Sequence, residues 1–529
     1  VSVAGLLGRL DDRLNPVVVR ELRQAVQSRL VAVTLLVFLA LQLLVLGIAL
    51  GSQVWTQAVE STDFRAGRTV FMILQGVMLA TCMLLVPAYA GVRLALERSD
   101  TNVDLLFIST LKPRKIIAGK CIAAVTLILL IFSACAPFLT FSYLLRGLDI
   151  PTVLSVLGFD FLSVLTATQV FLFLAAVPTN RWAKGMLLLA GLVGLLLLLW
   201  GSVMLTGMWL FEGGPPLRYE SWEFWSAVAS MVGVVLAILG LFFTWSVALV
   251  TPPSANRAMG PRLYALGLWA ASGVLAAVWA ARIEHNGPVY TWVIGAVTLW
   301  MLQGLIAANE REEWGPRVAR TIPRRWWLRV PAFLLYSGSA GGLLLAAGAV
   351  AATILATHLW REWHPITEGS KELANTAAVM GVAALYEGAF LLTALVARRG
   401  CGILAALYPR SPVMVRLARP GLTWLIALLL VGAFSVLPYT VAYMTMSYHE
   451  LRDAYQHGPP WWTLSNPFSA VYDYGEAPYA GFANGFEWFC PLFAGAWVAL
   501  GALVNLPWAF AQVRRFRPRD EVPTVPVAA

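Results

Sequence analysis

"LVAVTLLVFLALQLLVLGIALG", Leu30 to Gly51, runs for 22 residues without a charge. At 1.5 Å per residue a helix of that length reaches about 33 Å, enough to cross a hydrocarbon core of about 30 Å. It is apolar on every face, whereas a helix on the surface of a soluble domain keeps one polar side. The pattern recurs along the chain. Twelve stretches qualify, near residues 30–51, 69–91, 121–145, 153–178, 185–211, 224–250, 263–281, 288–308, 330–356, 374–396, 421–445 and 488–512. The sequence therefore predicts an all-α, polytopic integral membrane protein of about twelve transmembrane helices. Composition agrees, with 12% charged residues against roughly a quarter in ordinary soluble domains.

Lys and Arg set the expected orientation. If the N-terminus is cytoplasmic, the inner segments hold thirty of the 38 basic residues, which also accounts for the net charge of +10 without a nucleic-acid partner. Both termini are expected in the cytoplasm and the chain in the plasma (inner) membrane. The first 29 residues interleave basic, acidic and apolar positions, so no cleavable signal peptide is expected there. The five cysteines include no CxxC pair, which argues against a disulfide scaffold or a zinc ribbon and for plain buried thiols.

Two polar segments stand out between the apolar runs. Residues 1–29 read as an amphipathic helix on the cytoplasmic surface, an elbow before span one. Asn15 and Pro16 form a start signal, a capping side chain followed by the residue that loses nothing at the first helical position. Arg20, Arg23 and Arg29 follow toward the span. The second segment is "ALERSDTNVDLLFISTLKPRKIIAGK", Ala95 to Lys120, within the inner loop 92–120. Val103, Leu106, Phe107 and Thr110 share one helical face, Asp100 or Thr101 can cap its start, and Pro113 marks its end. Such an apolar face must rest on headgroups, on the bundle or on another protein. A weaker echo, "NEREEWGPRVARTIPRRWWLR", occupies the inner loop 309–329. Both open on Glu-Arg (Glu97 and Arg98; Glu310 and Arg311). Residues 30–250 thus read as one six-span region and 251–513 as a second, with a degenerate parallel repeat as one reading, an outer loop at 446–487 and a cytoplasmic tail at 514–529.

At these residues the chain resembles the permease subunits of ABC transporters of the type-two export family. The resemblance rests on Asn15, Pro16, Arg20 and Glu21 ahead of span one, then on Glu97, Arg98, Thr101, Leu105, Leu106, Thr110, Pro113, Gly119 and Lys120. It covers roughly residues 12–250. The chain departs from the family pattern in reading Ser-Asp-Thr where Gly usually precedes the Thr, and in carrying six further spans. The resemblance implies an exporter's membrane-spanning subunit, with no ATPase activity and no bound cofactor of its own. A separate ATPase subunit would use the ATP. Val103, Leu106 and Phe107 would dock as a coupling helix in a groove of that ATPase. Either a second permease chain, as homo- or heterodimer, or the chain's own second half would complete the pathway.

Catalytic motifs are missing from the sequence. There is no GxxxxGK[ST], HExxH or GxSxG, and the one Gly-Lys, at Gly119 and Lys120, lacks the first glycine of a phosphate loop. Two acids lie inside predicted spans, Asp160 in span four and Glu387 near the middle of span ten. Burying such a charge costs roughly 2.5–3.5 kcal/mol on insertion scales, so each needs a reason. They read either as pathway-lining or proton-coupled carboxylates, the basis of an alternative ion-coupled secondary transporter, or as protonated or hydrogen-bonded acids between packed helices. The five histidines fall in expected outer loops, and no metal site is expected from them. The aromatic-rich outer loop reads as a cap on the outer leaflet.

Overall fold

The computed structural model describes residues 16–51, 65–97, 112–144, 148–177, 181–211, 221–252, 254–364, 366–408, 410–455, 459–480 and 485–518. Among them there is no strand, and twelve helices are long and apolar enough to cross a membrane. The protein is an all-α polytopic membrane protein. By internal contacts the chain divides between Thr251 and Pro252 into two compact units, each holding six spans.

In the first unit a short helix, Pro16–Val26, precedes spans one to six: Arg29–Gly51, Arg65–Glu97, Pro113–Leu144, Ile150–Ala176, Arg181–Phe211 and Trp222–Val250. Spans two and four are the centre of the packing; span two also meets one, three and five, and span four also meets five and six. The core between them is apolar, built on Phe71, Leu74, Met78, Met83, Ile128 and Ile131. Hydrophobic burial gives little drive between helices already in lipid, so close packing matters more. Gly91 of span two supplies it: a Cβ there would stand 2.4 Å from Cδ1 of Phe171 on span four. Only glycine admits that ring.

The second unit holds spans seven to twelve: Met259–Ile283, Gly287–Ala308, Ser339–Trp363, Ser370–Leu407, Thr423–Thr445 and Phe486–Arg515. Its packing repeats the pattern of the first. Span eight meets seven, nine and ten, while span ten meets eleven and twelve. Spans eight and ten therefore stand where two and four stand, six places earlier in the chain.

Three boundaries differ from the sequence reading. Span nine, expected over 330–356, begins at Ser339, because residues 326–335 form a separate helix, Trp326–Leu335. The break at 336–338 is held by side chains: Trp314 Nε1 donates to Ser337 O at 2.5 Å, and Gly338 N donates to Glu310 Oε2 at 2.6 Å. Span three, expected over 121–145, begins earlier, at Pro113, where the missing N–H costs nothing; the short helix expected before Pro113 lies outside the described residues. The segment 446–487, read as a cap on the leaflet, is in its described part built into the unit. Its helix Pro467–Ala480 packs on spans ten and twelve, and Tyr386 of span ten donates to Leu464 O at 2.7 Å.

Candidate functional site

The helix Pro16–Val26 turns its Glu21 inward. Glu21 is 5% exposed and accepts from Lys120 Nζ at 2.8 Å; Lys120 is 2% exposed. The two residues are 99 positions apart in sequence and close a buried ion pair between the N-terminal helix and the first turns of span three. Two charges leave water only if each compensates the other, so removing one partner of such a pair costs roughly 3–5 kcal/mol. The same helix is fastened to span two, since Arg93 donates to Gln24 Oε1 and lies 4.8 Å over the Tyr89 ring. A small gap lined by Glu21, Tyr89, Lys120 and Ala123 remains at this junction.

The other predicted motif residues are placed as follows. Pro16 opens its helix and Arg20 is exposed on it. Glu97 ends the helix of span two. Asn15, and the connector residues Arg98, Thr101, Val103, Leu106 and Phe107, lie outside the described residues.

Asp160 of span four is 3% exposed and accepts from Gln75 Nε2 of span two at 2.9 Å. Gln75 Nε2 also lies 3.4 Å from Thr206 Oγ1 of span five. Gln42 of span one donates to Leu74 O at 3.0 Å, one residue from Gln75. The Gln75 amide thus supplies the acid with a donor inside the first unit. The arrangement is that of a hydrogen-bonded acid between packed helices.

Glu387 of span ten is different. Among the described residues its carboxylate has no hydrogen-bond or ion-pair partner. It is half-buried and rests against span eight: a Cβ at Gly304 would stand 3.9 Å from Glu387 Oε1. Asp160 belongs to the first unit and Glu387 to the second.

Sequence reading missed two further ion pairs, both in the second unit. Arg262, 2% exposed at the start of span seven, donates to Glu310 Oε2 at 2.8 Å and to the carbonyls of Leu334, Tyr336 and Gly338. Burial raises the pKa of Glu310, and the Arg262 charge and the Gly338 N–H act against that shift. Arg398, 3% exposed near the end of span ten, pairs with Glu312 and donates to Thr423 Oγ1 at 3.2 Å. The segment 309–338 is therefore a packed layer, with Trp314, Phe333 and Tyr336 closing around Phe516. Its outer side exposes Arg317, Arg320, Arg325 and Trp326. A run of Glu and Arg at a span end reads equally as topology signal and as ion-pair partner, so the pairs had no distinct signature. Of the histidines, His358 faces Glu362 at 3.6 Å in the open and His364 stacks on Trp360. Among the described residues no three metal-ligating side chains converge.

No family model, curated protein or solved structure matches this chain.

Proposed function

We propose that the chain is the membrane-spanning permease of an ABC-type exporter, forming the translocation path and driven by a separate ATPase subunit. One observation carries the reading. The residues by which the sequence resembles that family lie in two stretches far apart in the chain, and Glu21 from one and Lys120 from the other meet in a buried ion pair. A lever needs such a joint. Force applied to the connector between spans two and three reaches both spans and the N-terminal helix as one body if that helix is locked to span three by Glu21–Lys120 and to span two by Gln24–Arg93. In this reading the termini and the connector are cytoplasmic, Leu106 and Phe107 fill the ATPase groove, and ATP is consumed by the partner.

Purification of the tagged protein and its Leu106→Asp, Phe107→Asp variant from native membranes in mild detergent tests the reading. The wild type is expected to retain a P-loop ATPase, and the variant to lose it while staying monodisperse. Equal retention would falsify the docking role. A second reading, an ion-coupled carrier, is favoured by the unpartnered Glu387. It requires transport that ignores ATP and vanadate and is lost in Glu387→Gln.

A further inference from the structure

The face of span ten turned to span eight is a regular stripe: Leu373, Ala377, Met380, Ala384, Glu387, Leu391, Ala394 and Arg398 follow at alternating steps of four and three. Such spacing keeps one seam against a neighbouring helix. The upper part packs on Val293, Val297 and Met301 of span eight, and the lower part on Leu305 and Ala308. Glu387 is the one acid in the seam. Opposite it Gly304 leaves a notch, bounded by Ala346 of span nine and Leu391; a Cβ at Gly304 would stand 3.6 Å and 3.8 Å from them.

Among the described residues no cation compensates this carboxylate. Span eight carries Tyr290 and no charged residue. Span nine has His358, Arg361 and Glu362 only at its far end, with His358 about 18 Å along the helix from Ala346 at 1.5 Å per residue. Span eleven brings Tyr439 and Tyr443, and span twelve Glu487, Cys490, Arg514 and Arg515. The helix Pro467–Ala480, with Asp473, Tyr474 and Glu476, packs on the other face of span ten, around Tyr386 and Phe390. The short helix Pro412–Leu417 brings Arg416. On span ten itself Lys371 and Glu372 stand at the start, while Arg398, about 16 Å from Glu387, is neutralised by Glu312, and Arg399, one residue further, donates to Asn505 Oδ1.

A metal ion does not suit the notch. Hard cations take six or more oxygen ligands, and the notch offers one carboxylate among methyl and methylene groups. A proton needs only the one group. An ionised carboxylate here would lack a partner among the described residues, whereas the neutral acid suits the apolar seam.

We infer that Glu387, in the notch at Gly304 between spans eight and ten, is an exchangeable proton-binding site of the second unit. The carboxyl holds its proton while the seam is dry and releases it to water that enters the notch, and the proton returns from water by the same route. The site is independent of whether an ATPase drives the protein.

Infrared difference spectroscopy of the protein in lipid nanodiscs, between mildly acidic and mildly alkaline buffer, reads this directly. The wild type is expected to lose a protonated-carboxyl C=O band on going alkaline. That band should be absent from Glu387→Gln, shifted in frequency in Glu387→Asp, and intact in Asp160→Asn. The Asp variant keeps the test decisive if the Gln variant does not fold. A band unchanged by either Glu387 substitution, or no pH-dependent band at all, overturns the proposal.

Discussion

Glu21 and Lys120 show what one buried pair does in a chain that is otherwise apolar. Each was visible as part of a motif, yet neither predicted the other, because contacts across 99 residues leave no local periodicity. Lys120→Met strands the Glu21 carboxylate, and the expected loss is roughly 3–5 kcal/mol, read as a lowered unfolding midpoint in detergent. Adding Glu21→Gln should restore most of it; a double variant as unstable as the sum of the single ones would contradict the pair. Asp160 makes a gentler case. Asp160→Asn can still bond the Gln75 amide and should cost less than about 1 kcal/mol, whereas Asp160→Leu leaves that amide only the longer contact to Thr206 Oγ1 and should cost about 1–3 kcal/mol. Equal midpoints for the two variants would mean that the Gln75–Asp160 bond contributes nothing.

At the scale of elements, hydropathy found every span but not where the helices stop. Span ten reads as residues 374–396 from its apolar run, but the helix covers Ser370–Leu407. Its 38 residues reach about 57 Å, well beyond a hydrocarbon core of about 30 Å. The excess is held by polar side chains, Arg398 with Glu312 and Arg399 with Asn505, which an apolar window cannot register. Span nine is the opposite case. Its apolar run continues through residues 330–335, and the helix breaks just after it, where Gly338 leaves helical geometry and Arg262, Glu310, Trp314 and Asn256 take up the backbone groups of 336–338. Helix approach is equally specific. Gly91→Ala places a methyl against Phe171 and should destabilise by about 1–3 kcal/mol, with partial rescue by Phe171→Leu. Gly194→Ala, in open space on span five, should be neutral or slightly stabilising. A thermal-shift series on the three variants separates these outcomes.

For the whole molecule, the sequence reading placed six spans on each side of residue 251. The same packing order recurs in both units, with spans two and four in one and eight and ten in the other as centres. Sequence likeness between the two units is faint, and a packing order can be shared without it, because it survives when side chains change. The loop that begins Glu97-Arg98 and the layer that begins Glu310-Arg311 share beyond that only a closing Thr, an apolar residue and a Pro followed by basic residues. Each polar network described above closes inside its own unit, so residues 252–529 expressed alone should insert and unfold in a single cooperative transition; a fragment that is degraded or lacks a transition would contradict that independence. The functional account makes a demand beyond the fold. It requires a partner that burns ATP, since this chain has no phosphate loop. The most direct measurement is ATP hydrolysis by the complex purified from native membranes into lipid nanodiscs, with its subunits identified. The account expects a separate P-loop chain in stoichiometric amount and hydrolysis that vanadate stops. A lone permease without ATPase activity contradicts it, and would make Glu387 the first residue to examine as the coupling site of an ion-driven carrier.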